Sequence, residues 1–427
     1  MDRARMTVYR VLYRVLEEGS YLHLALKEQL ERDRLNARDR AFATQLIHLV
    51  LTHRARLDYA LAPYLVGKRV KGDARTLMRM GACQIMLMRL PHRAAVDSTV
   101  ELCRELRKNS YGGFMNGVLR NLVRGLDDIA YPEDPLGYLT IYWSIPEFVA
   151  KMWLQRYGVA GALSLAESLA KPRGICVCAW DQAEFMEFAG KHGLEYVRGR
   201  VSPYAFYLRG RSALDADRLI MGEAAQMAAL AMDVQPGERV LDACAAPGGK
   251  TVIMAEAGGD VTALELHENR KNMMEVRLAA RNTPRVTCLT GDAALYRPEW
   301  EQTFDRVLVD APCSGLGTLA QKPDIKWRLA PEDLTALADL QLAILTACGH
   351  YVKTGGTLVY STCTLSEQEN DGVVRAFLAE RPEFDLDDLS PYFPERMEEA
   401  AKRGFVELRP DLEGTEGFFI ARMRRRS

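Results

Sequence analysis

The stretch RVLDACAAPGGKT, residues 239–251, decides the fold of this chain. Its first six residues are typical of a short buried strand, and the small residues and glycines after them predict a tight turn into a helix. Such a turn lets a ligand approach the backbone closely, and the helix N-terminus favours negatively charged groups. The spacing matches neither GxGxxG nor GxxxxGK followed by Ser or Thr, which disfavours a nucleotide phosphate loop. On glycine content alone, a purely structural turn explains the stretch equally well.

Short apolar strands alternate with helices on the C-terminal side of this stretch. The strands are predicted at 239–244, 261–266, 285–292, 304–312 and 356–363, and the helices between and after them include 331–352 and 367–380. Residues 405–409 and 417–423 predict a hairpin that closes the sheet. Alternating strands and helices predict an α/β fold with a mainly parallel sheet, whose ligands bind beyond the carboxyl ends of the strands.

The N-terminal part of the chain reads differently. Residues 1–130 carry apolar side chains at helical spacing, which predicts five to seven helices, and the Pro- and Gly-containing segment 131–138 predicts a linker. Residues 139–235 predict a small α+β unit with a helix between 146 and 170 and strands at 175–180 and 205–208. We therefore expect a helical domain at 1–135, an α+β linker domain at 139–235 and the α/β domain at 236–427.

The composition excludes several classes of protein. The chain has 427 residues, of which 48% are hydrophobic and 26% charged, as expected of a globular protein. It contains no apolar run of about 18 residues, so we expect no membrane span, and its charged N-terminus does not resemble a secretory signal. The nine cysteines form no paired CxxC spacing, which argues against a disulfide framework or a metal site and favours a reduced, cytoplasmic setting.

The charge is unevenly distributed along the chain. Residues 1–140 contain 23 Lys and Arg against 16 Asp and Glu, a net charge of +7, whereas the whole chain has 56 against 57. A basic N-terminal domain can bind phosphates. A solvated helical surface is the alternative explanation of the charge alone.

Acidic residues end the second and third predicted strands. Glu265 could accept hydrogen bonds from both ribose hydroxyls of a bound nucleoside, and Asp292 could bind an adenine amino group. Taken singly, each has an ordinary alternative, a solvent-facing glutamate or a turn aspartate. Together with the loop at 242–251 they predict a nucleoside pocket at one edge of the sheet.

Two cysteines follow the ends of the fourth and fifth predicted strands. Cys313 lies in DAPCSGLGT (310–318) and Cys363 in YSTCTLSEQEN (360–370). A lone cysteine is usually a small buried hydrophobic residue. Two of them at neighbouring strand ends, beside a nucleoside pocket, favour covalent catalysis by a thiolate.

These motifs resemble those of the Nop2/Sun superfamily of RNA cytosine-5 methyltransferases. The match rests on DACAAPGGKT, DAPCSGLGT, YSTCTLSEQEN and QKPDIKW (321–327), in that order. The resemblance implies a class I, Rossmann-like methyltransferase that uses S-adenosylmethionine and no metal. It implies that Cys363 attacks the base and that Cys313 helps to release the product. It also implies the methyl-donor contacts, which are Cys244, Ala245, Ala246, Pro247, Gly248, Gly249, Lys250, Glu265, Asp292 and Asp310.

The implied chemistry explains why a cysteine is needed. Carbon 5 of cytosine is a poor nucleophile until a thiolate adds to carbon 6. An acid near ring nitrogen 3, such as Asp310, would then stabilise the adduct. Lys250 could assist the charge balance, although a phosphate contact or a structural ion pair would also explain it.

The resemblance extends to both ends of the chain. GGFMNGVLRNL (112–122) and YWSIPEFVAKMW (142–153) are similar to the NusB-like domain and linker of the Sun/RsmB branch, and EGFFIARM (416–423) also fits. That branch implies 16S ribosomal RNA as the partner, free or in an early 30S particle. We expect the basic helical domain to hold the RNA and the protein to be a monomer. Two alternatives stay open, namely a transfer RNA cytosine-5 methyltransferase and a ribosome-assembly factor whose methylation is incidental.

Overall fold

The structure is a computed structural model that describes residues 2–209 and 218–426. Its contacts divide the chain into two compact units. Unit 1 comprises Met1–Lys171 and Leu319–Leu329, and unit 2 comprises Pro172–Thr318 and Ala330–Ser427. Within the described residues, no helix is long and apolar enough to cross a membrane.

Unit 1 is a helical domain around one apolar core. Its helices are α1 (Arg3–Leu16), α2 (Leu22–Asp33), α3 (Ala37–Thr52), α4 (Arg54–Leu61), α5 (Gly72–Met86), α6 (His92–Glu105), α7 (Asn109–Arg124), α8 (Pro135–Gly137) and α9 (Glu147–Ala170). The predicted helical spacing is confirmed in α1, where Val8, Leu12 and Val15 are all buried. The Asp2 side chain accepts a hydrogen bond from Arg5 N–H and caps this helix.

The segment Leu319–Leu329 packs into unit 1, although it follows the Cys313 motif in the chain. The indole N–H of Trp327 donates to Leu51 O at 2.7 Å, and Lys326 Nζ donates to Thr52 O at 2.9 Å. Burial lowers the pKa of Lys326 to about 7. The motif QKPDIKW therefore supplies anchoring side chains to the helical unit.

Unit 2 begins with a small α+β layer. The strands β1 (Cys176–Cys178), β2 (Tyr196–Arg198), β3 (Ala205–Leu208) and β4 (Leu219–Ile220) form an antiparallel sheet in the order β2-β3-β1-β4, accompanied by α10 (Gln182–Lys191). The predicted strands at 175–180 and 205–208 are confirmed as β1 and β3. The short strands β2 and β4 were not predicted.

The rest of unit 2 is the α/β domain. It contains α11 (Glu223–Leu230), β5 (Arg239–Asp242), α12 (Gly249–Glu256), β6 (Asp260–Glu265), α13 (Glu268–Ala280), β7 (Val286–Thr290), β8 (Phe304–Asp310), α14 (Pro331–Tyr351), β9 (Val352–Thr362), α15 (Asp371–Glu380), β10 (Phe384–Leu386), α16 (Glu398–Ala401), β11 (Phe405–Leu408), α17 (Pro410–Glu413) and β12 (Phe418–Arg425). All five strands predicted between 239 and 363 are present.

These strands form one eight-stranded sheet in the order β10-β12-β9-β8-β5-β6-β7, with β11 also paired to β12. Strands β5 to β9 run parallel, and β12 joins β9 antiparallel. The predicted hairpin is confirmed as β11 and β12. The expected fold class, an α/β fold with a mainly parallel sheet that follows a helical domain and a small α+β unit in the chain, is confirmed. Its parallel strands bring the carboxyl ends of β5 to β9 to the same edge.

Candidate active site

The loop after β5 is shaped by glycine. Gly248 has a φ of 91° and precedes α12, so the chain turns into the helix through a left-handed residue. A Cβ at this position would lie 2.8 Å from Met274 Cγ. A side chain is therefore excluded both by the backbone conformation and by the neighbour. The Cys244 thiol in the same loop is partly buried, and its loss of solvation raises its pKa well above the usual range, which makes it a poor nucleophile.

Asp242 ends β5 and is almost completely buried. Its Oδ2 accepts a hydrogen bond from the Thr251 hydroxyl at 2.7 Å, whereas Oδ1 has no hydrogen-bond partner among the described residues. Burial raises the pKa of this carboxyl to about 6. An unpaired oxygen in a buried carboxyl group is a place where a ligand can donate a hydrogen bond. Asp242 is a site residue that the sequence did not indicate, although it ends a strand in the same way as Glu265.

The raised pKa of Asp242 predicts a pH-dependent loss of stability. A carboxyl whose pKa is higher in the folded than in the unfolded chain stabilises the fold at low pH. That stabilisation disappears as the pH rises from about 4 to about 6. We expect Asp242→Asn to gain about 1–3 kcal/mol relative to wild type over this interval, since asparagine cannot ionise. The measurement is the free energy of unfolding of the α/β domain in urea, at pH 4 and pH 7.

Asp305 is the control for this prediction. Burial alone would raise the pKa of Asp305, but hydrogen bonds from the Lys353 ammonium and the Arg239 N–H lower it. The stabilisation from Asp305 is therefore complete above about pH 4 and is lost only below it, so Asp305→Asn should change little relative to wild type over the interval in which Asp242→Asn gains. A gain in Asp305→Asn as large as that in Asp242→Asn would contradict the assignment to Asp242.

Glu265 ends β6, and its side chain is buried. Its Oε1 accepts hydrogen bonds from His267 N–H at 3.1 Å and from Arg270 Nη1 at 3.2 Å, and neither bond involves Oε2. Arg270 Nη2 also donates to Ala246 O at 2.9 Å. Arg270 thus connects the glycine-rich loop to the end of β6, a contact that the sequence did not indicate.

Asp292 lies just beyond the next strand, β7. Its Oδ1 accepts a hydrogen bond from Ala294 N–H at 2.9 Å. This bond forms a local turn, as the turn interpretation of Asp292 predicts. The other carboxylate oxygen takes no part in that bond, so the turn and a ligand contact are compatible.

Asp310, at the end of β8, accepts a hydrogen bond at each of its two carboxylate oxygens. Lys250 Nζ donates to its Oδ2 at 2.6 Å, and the Ser361 hydroxyl donates to its Oδ1 at 2.8 Å. Burial alone would lower the pKa of Lys250, but the attraction of the Asp310 carboxylate outweighs it and raises that pKa. The pair is therefore an ion pair that links the loop after β5 to the end of β8.

The two predicted cysteines are in contact. Cys313 Sγ lies 3.4 Å from Cys363 Sγ, beyond the ends of the adjacent parallel strands β8 and β9. The hydrogen bond to Cys363, together with burial, raises the pKa of the Cys313 thiol well above its usual range. Cys313 therefore keeps its proton and can donate it towards the Cys363 sulfur. A protonated cysteine beside a second sulfur is suited to thiolate chemistry at Cys363.

A parallel sheet with acidic side chains, a glycine-rich turn and two cysteines at one edge has the architecture of a methyltransferase domain. The family model described as 16S rRNA methyltransferase RsmB/F matches residues 229–424, and the NusB family model matches residues 2–124. The chain thus belongs to the RsmB/F family of methyltransferases and carries a NusB-type N-terminal domain.

Full-length relatives agree with this assignment. The chain is 34% identical to the probable ribosomal RNA small subunit methyltransferase B of Bacillus subtilis, over 97% of both chains. It is 33% identical to ribosomal RNA small subunit methyltransferase B of Thermus thermophilus, over 96% of this chain and 95% of that one. The crystal structure of PH0851 has the same fold, with a TM-score of 0.81 and 23% identity over 100% of this chain and 99% of that one.

Proposed function

We propose that this protein transfers a methyl group from S-adenosylmethionine to carbon 5 of a cytosine in 16S ribosomal RNA, with Cys363 as the nucleophile. The observation that carries the proposal is the 3.4 Å contact between Cys363 Sγ and Cys313 Sγ, beside the Lys250–Asp310 ion pair. Membership of the RsmB/F family supports ribosomal RNA methylation. The position on the base and the covalent route are inferred from the chemistry of the side chains.

Cys363 begins the reaction by adding to the base. Its thiolate forms a bond to carbon 6 of cytosine, and the electron pair of the 5,6 double bond makes carbon 5 nucleophilic. The Lys250 ammonium interacts electrostatically with Cys363 and favours the thiolate. Cys313 supports the same charge state, because it retains its own proton.

Asp310 and Cys313 act on the adduct. Lys250 Nζ, which donates to Asp310 Oδ2 at 2.6 Å, passes a proton to that carboxylate, and the protonated Asp310 stabilises the charge that builds up at ring nitrogen 3 by hydrogen bonding or by proton donation. After carbon 5 has been methylated, a base takes its proton, the electron pair of that C–H bond restores the 5,6 double bond, and the bond between Cys363 and carbon 6 breaks so that the sulfur leaves as a thiolate. Cys313, next to that sulfur, assists this release.

The methyl donor fits the residues at and beyond the ends of β5, β6, β7 and β8. When bound, S-adenosylmethionine supplies an electrophilic methyl group. The residues that would hold it are Cys244, Ala245, Ala246, Pro247, Gly248, Gly249, Lys250, Glu265, Asp292 and Asp310, to which we add Asp242. The unpaired Asp242 Oδ1 and the glycine turn at 248 are the features that support this fit.

The RNA substrate is inferred from the relatives and from the N-terminal domain. The relatives are named ribosomal RNA small subunit methyltransferases, and residues 1–140 carry a net charge of +7, which suits phosphate binding. The target cytosine must be unpaired or flipped out of a helix to reach Cys363. We expect the protein to act as a monomer.

The test uses purified protein and S-adenosylmethionine labelled in the methyl group. The substrates are unmethylated 16S ribosomal RNA, free and in 30S particles, and transfer RNA, and the digested RNA is analysed for 5-methylcytosine. Label in 16S RNA as 5-methylcytosine is expected. Label in transfer RNA alone would overturn the substrate, and a different methylated nucleoside would overturn the chemistry. No label, from protein shown to bind S-adenosylmethionine, would favour the assembly-factor alternative.

A further inference from the structure

A buried carboxylate contacts both loops that carry the cysteines, the loop after β8 with Cys313 and the loop after β9 with Cys363. Glu369 follows β9 and is fully buried. Among the described residues, it forms no ion pair with a lysine, arginine or histidine. A buried carboxylate without a cation costs free energy unless hydrogen bonds compensate for it. The hydrogen-bond donors around Glu369 therefore show how its carboxylate is stabilised.

The Glu369 carboxylate binds the residue that follows each cysteine. Ser314, directly after Cys313, donates its N–H to Oε2 at 2.8 Å and its hydroxyl to Oε1. The hydroxyl of Thr364, directly after Cys363, donates to Oε1 at 3.3 Å. One side chain thus connects the loop after β8 to the loop after β9.

Further bonds fix Glu369 itself. Gln341 Nε2, on α14, donates to Oε2 at 3.1 Å, and the Tyr360 hydroxyl donates to Glu369 O at 2.6 Å. The neighbouring Asn370 is hydrogen-bonded to the residues on both sides of Cys363. Its Oδ1 accepts a hydrogen bond from the Thr362 hydroxyl, and its Nδ2 donates to Thr364 O at 3.1 Å. Both the carboxylate and its backbone are therefore held by the α/β framework rather than by solvent.

We propose that Glu369 is a positioning residue that holds the Cys313 and Cys363 loops together, so that the two sulfur atoms stay in contact during methyl transfer. This inference rests on the proposed function only for its effect on turnover. The negative charge also acts at a distance, because it contributes to the raised pKa of Cys313. Glu369 thereby helps to keep Cys313 protonated beside the proposed nucleophile Cys363.

Glutamine is the replacement of Glu369 that tests the carboxylate most directly. It preserves the shape of the side chain but removes the charge, and its amide nitrogen cannot accept the bonds that one oxygen now accepts. We expect Glu369→Gln to lower kcat about 10–100-fold, as small misplacements of reacting groups do. The affinity for S-adenosylmethionine, measured by calorimetry, should stay within about twofold of wild type, since no methyl-donor residue contacts Glu369.

A second measurement does not depend on turnover. The alkylation rates of Cys313 and Cys363 by iodoacetamide are followed by peptide mass spectrometry between pH 6 and 9, with a phosphine reductant present. In wild type, Cys363 should react faster than Cys313. In Glu369→Gln the ratio of the two rates should fall by about tenfold, because Cys313 ionises more easily.

Matched variants distinguish a positioning role of Glu369 from a general effect on protein stability. Glu223→Gln removes another buried carboxylate that accepts backbone N–H bonds, from Val201 and Ser202, and it should leave the alkylation ratio unchanged. Ser314→Ala and Thr364→Val each remove one bond to Glu369, and they replace Glu369→Gln if that variant does not fold. They should lower kcat in the same direction, by a smaller factor.

The outcomes are distinct from those of the proposed function. A folded Glu369→Gln protein with wild-type kcat and an unchanged alkylation ratio would overturn the positioning role, even if Cys363 proves to be the nucleophile. A parallel fall in S-adenosylmethionine affinity and kcat would also overturn it, in favour of a general structural role. If wild type methylates no cytosine, the proposed function fails, and the alkylation ratio alone decides the role of Glu369.

Discussion

Replacing Cys363 with alanine is expected to lower methyl transfer by at least about 10⁴-fold, equivalent to about 5.5 kcal/mol of transition-state stabilisation. The covalent route activates carbon 5 through the bond at carbon 6, and alanine offers no atom to form that bond. Binding of S-adenosylmethionine should persist, because Cys363 is not one of the residues proposed to hold it. The measurements are methyl transfer to RNA and calorimetric titration with S-adenosylmethionine.

Cys313→Ala is the matched variant, because it removes the neighbouring sulfur at 3.4 Å. It should retain bond formation but slow product release, so that a covalent complex between protein and RNA accumulates. Denaturing gels with radiolabelled RNA detect that complex, and Cys363→Ala should show none. The reverse pattern, with a complex in Cys363→Ala and none in Cys313→Ala, would assign the nucleophile to Cys313 and reject the mechanism proposed above.

Much of the α/β domain was predictable because strand and helix signals were local. Apolar runs such as 356–363 are long enough to mark buried parallel strands, and the strand β9 indeed extends over Val352–Thr362 with its last seven residues buried. The small strands β2 and β4 gave no such signal. They have two or three residues each and are partly exposed, so their sequences resemble loops.

The location of Leu319–Leu329 could not be read from the sequence. Its motif was recognised, but Trp327 and Lys326 bind backbone carbonyls of Leu51 and Thr52 that lie more than 270 residues away in the chain. Backbone acceptors have no residue-specific signature, so a pattern of side chains cannot identify them. Only the tertiary structure assigns this segment to the helical unit.

The site residues at the strand ends were predictable from the sequence, whereas the buried Glu369, which supports them, was not. Cys313, Cys363, Asp310 and Lys250 were selected, and the structure brings them into two contacting pairs. Glu369 lies in a quoted motif but received no role, since its importance depends on four donors from three elements. A hydrogen-bonded network of this kind cannot be predicted from the sequence, because several of its members are distant along the chain.

The second large effect is expected at the Lys250–Asp310 pair. Asp310→Asn keeps an acceptor for Ser361 but leaves the Lys250 ammonium without its carboxylate. Removing one member of a buried pair costs about 3–5 kcal/mol, and because 27% of the Asp310 side chain is exposed we expect a smaller loss of stability, about 2–3 kcal/mol. Activity should fall by about 10²–10⁴-fold, the contribution of a positioned acid.

A double-mutant cycle separates these two effects. Lys250→Met removes the charge and keeps an apolar stem against the Phe418 ring, whose centre lies 5.4 Å from Lys250 Nζ. Combined with Asp310→Asn it should recover at least about 1 kcal/mol of the lost stability, because no unpaired ammonium remains buried. It should not recover activity, because the acid at ring nitrogen 3 is still absent. Recovery of methyl transfer together with stability would mean that Asp310 acts only through the ion pair, and that another group stabilises the adduct.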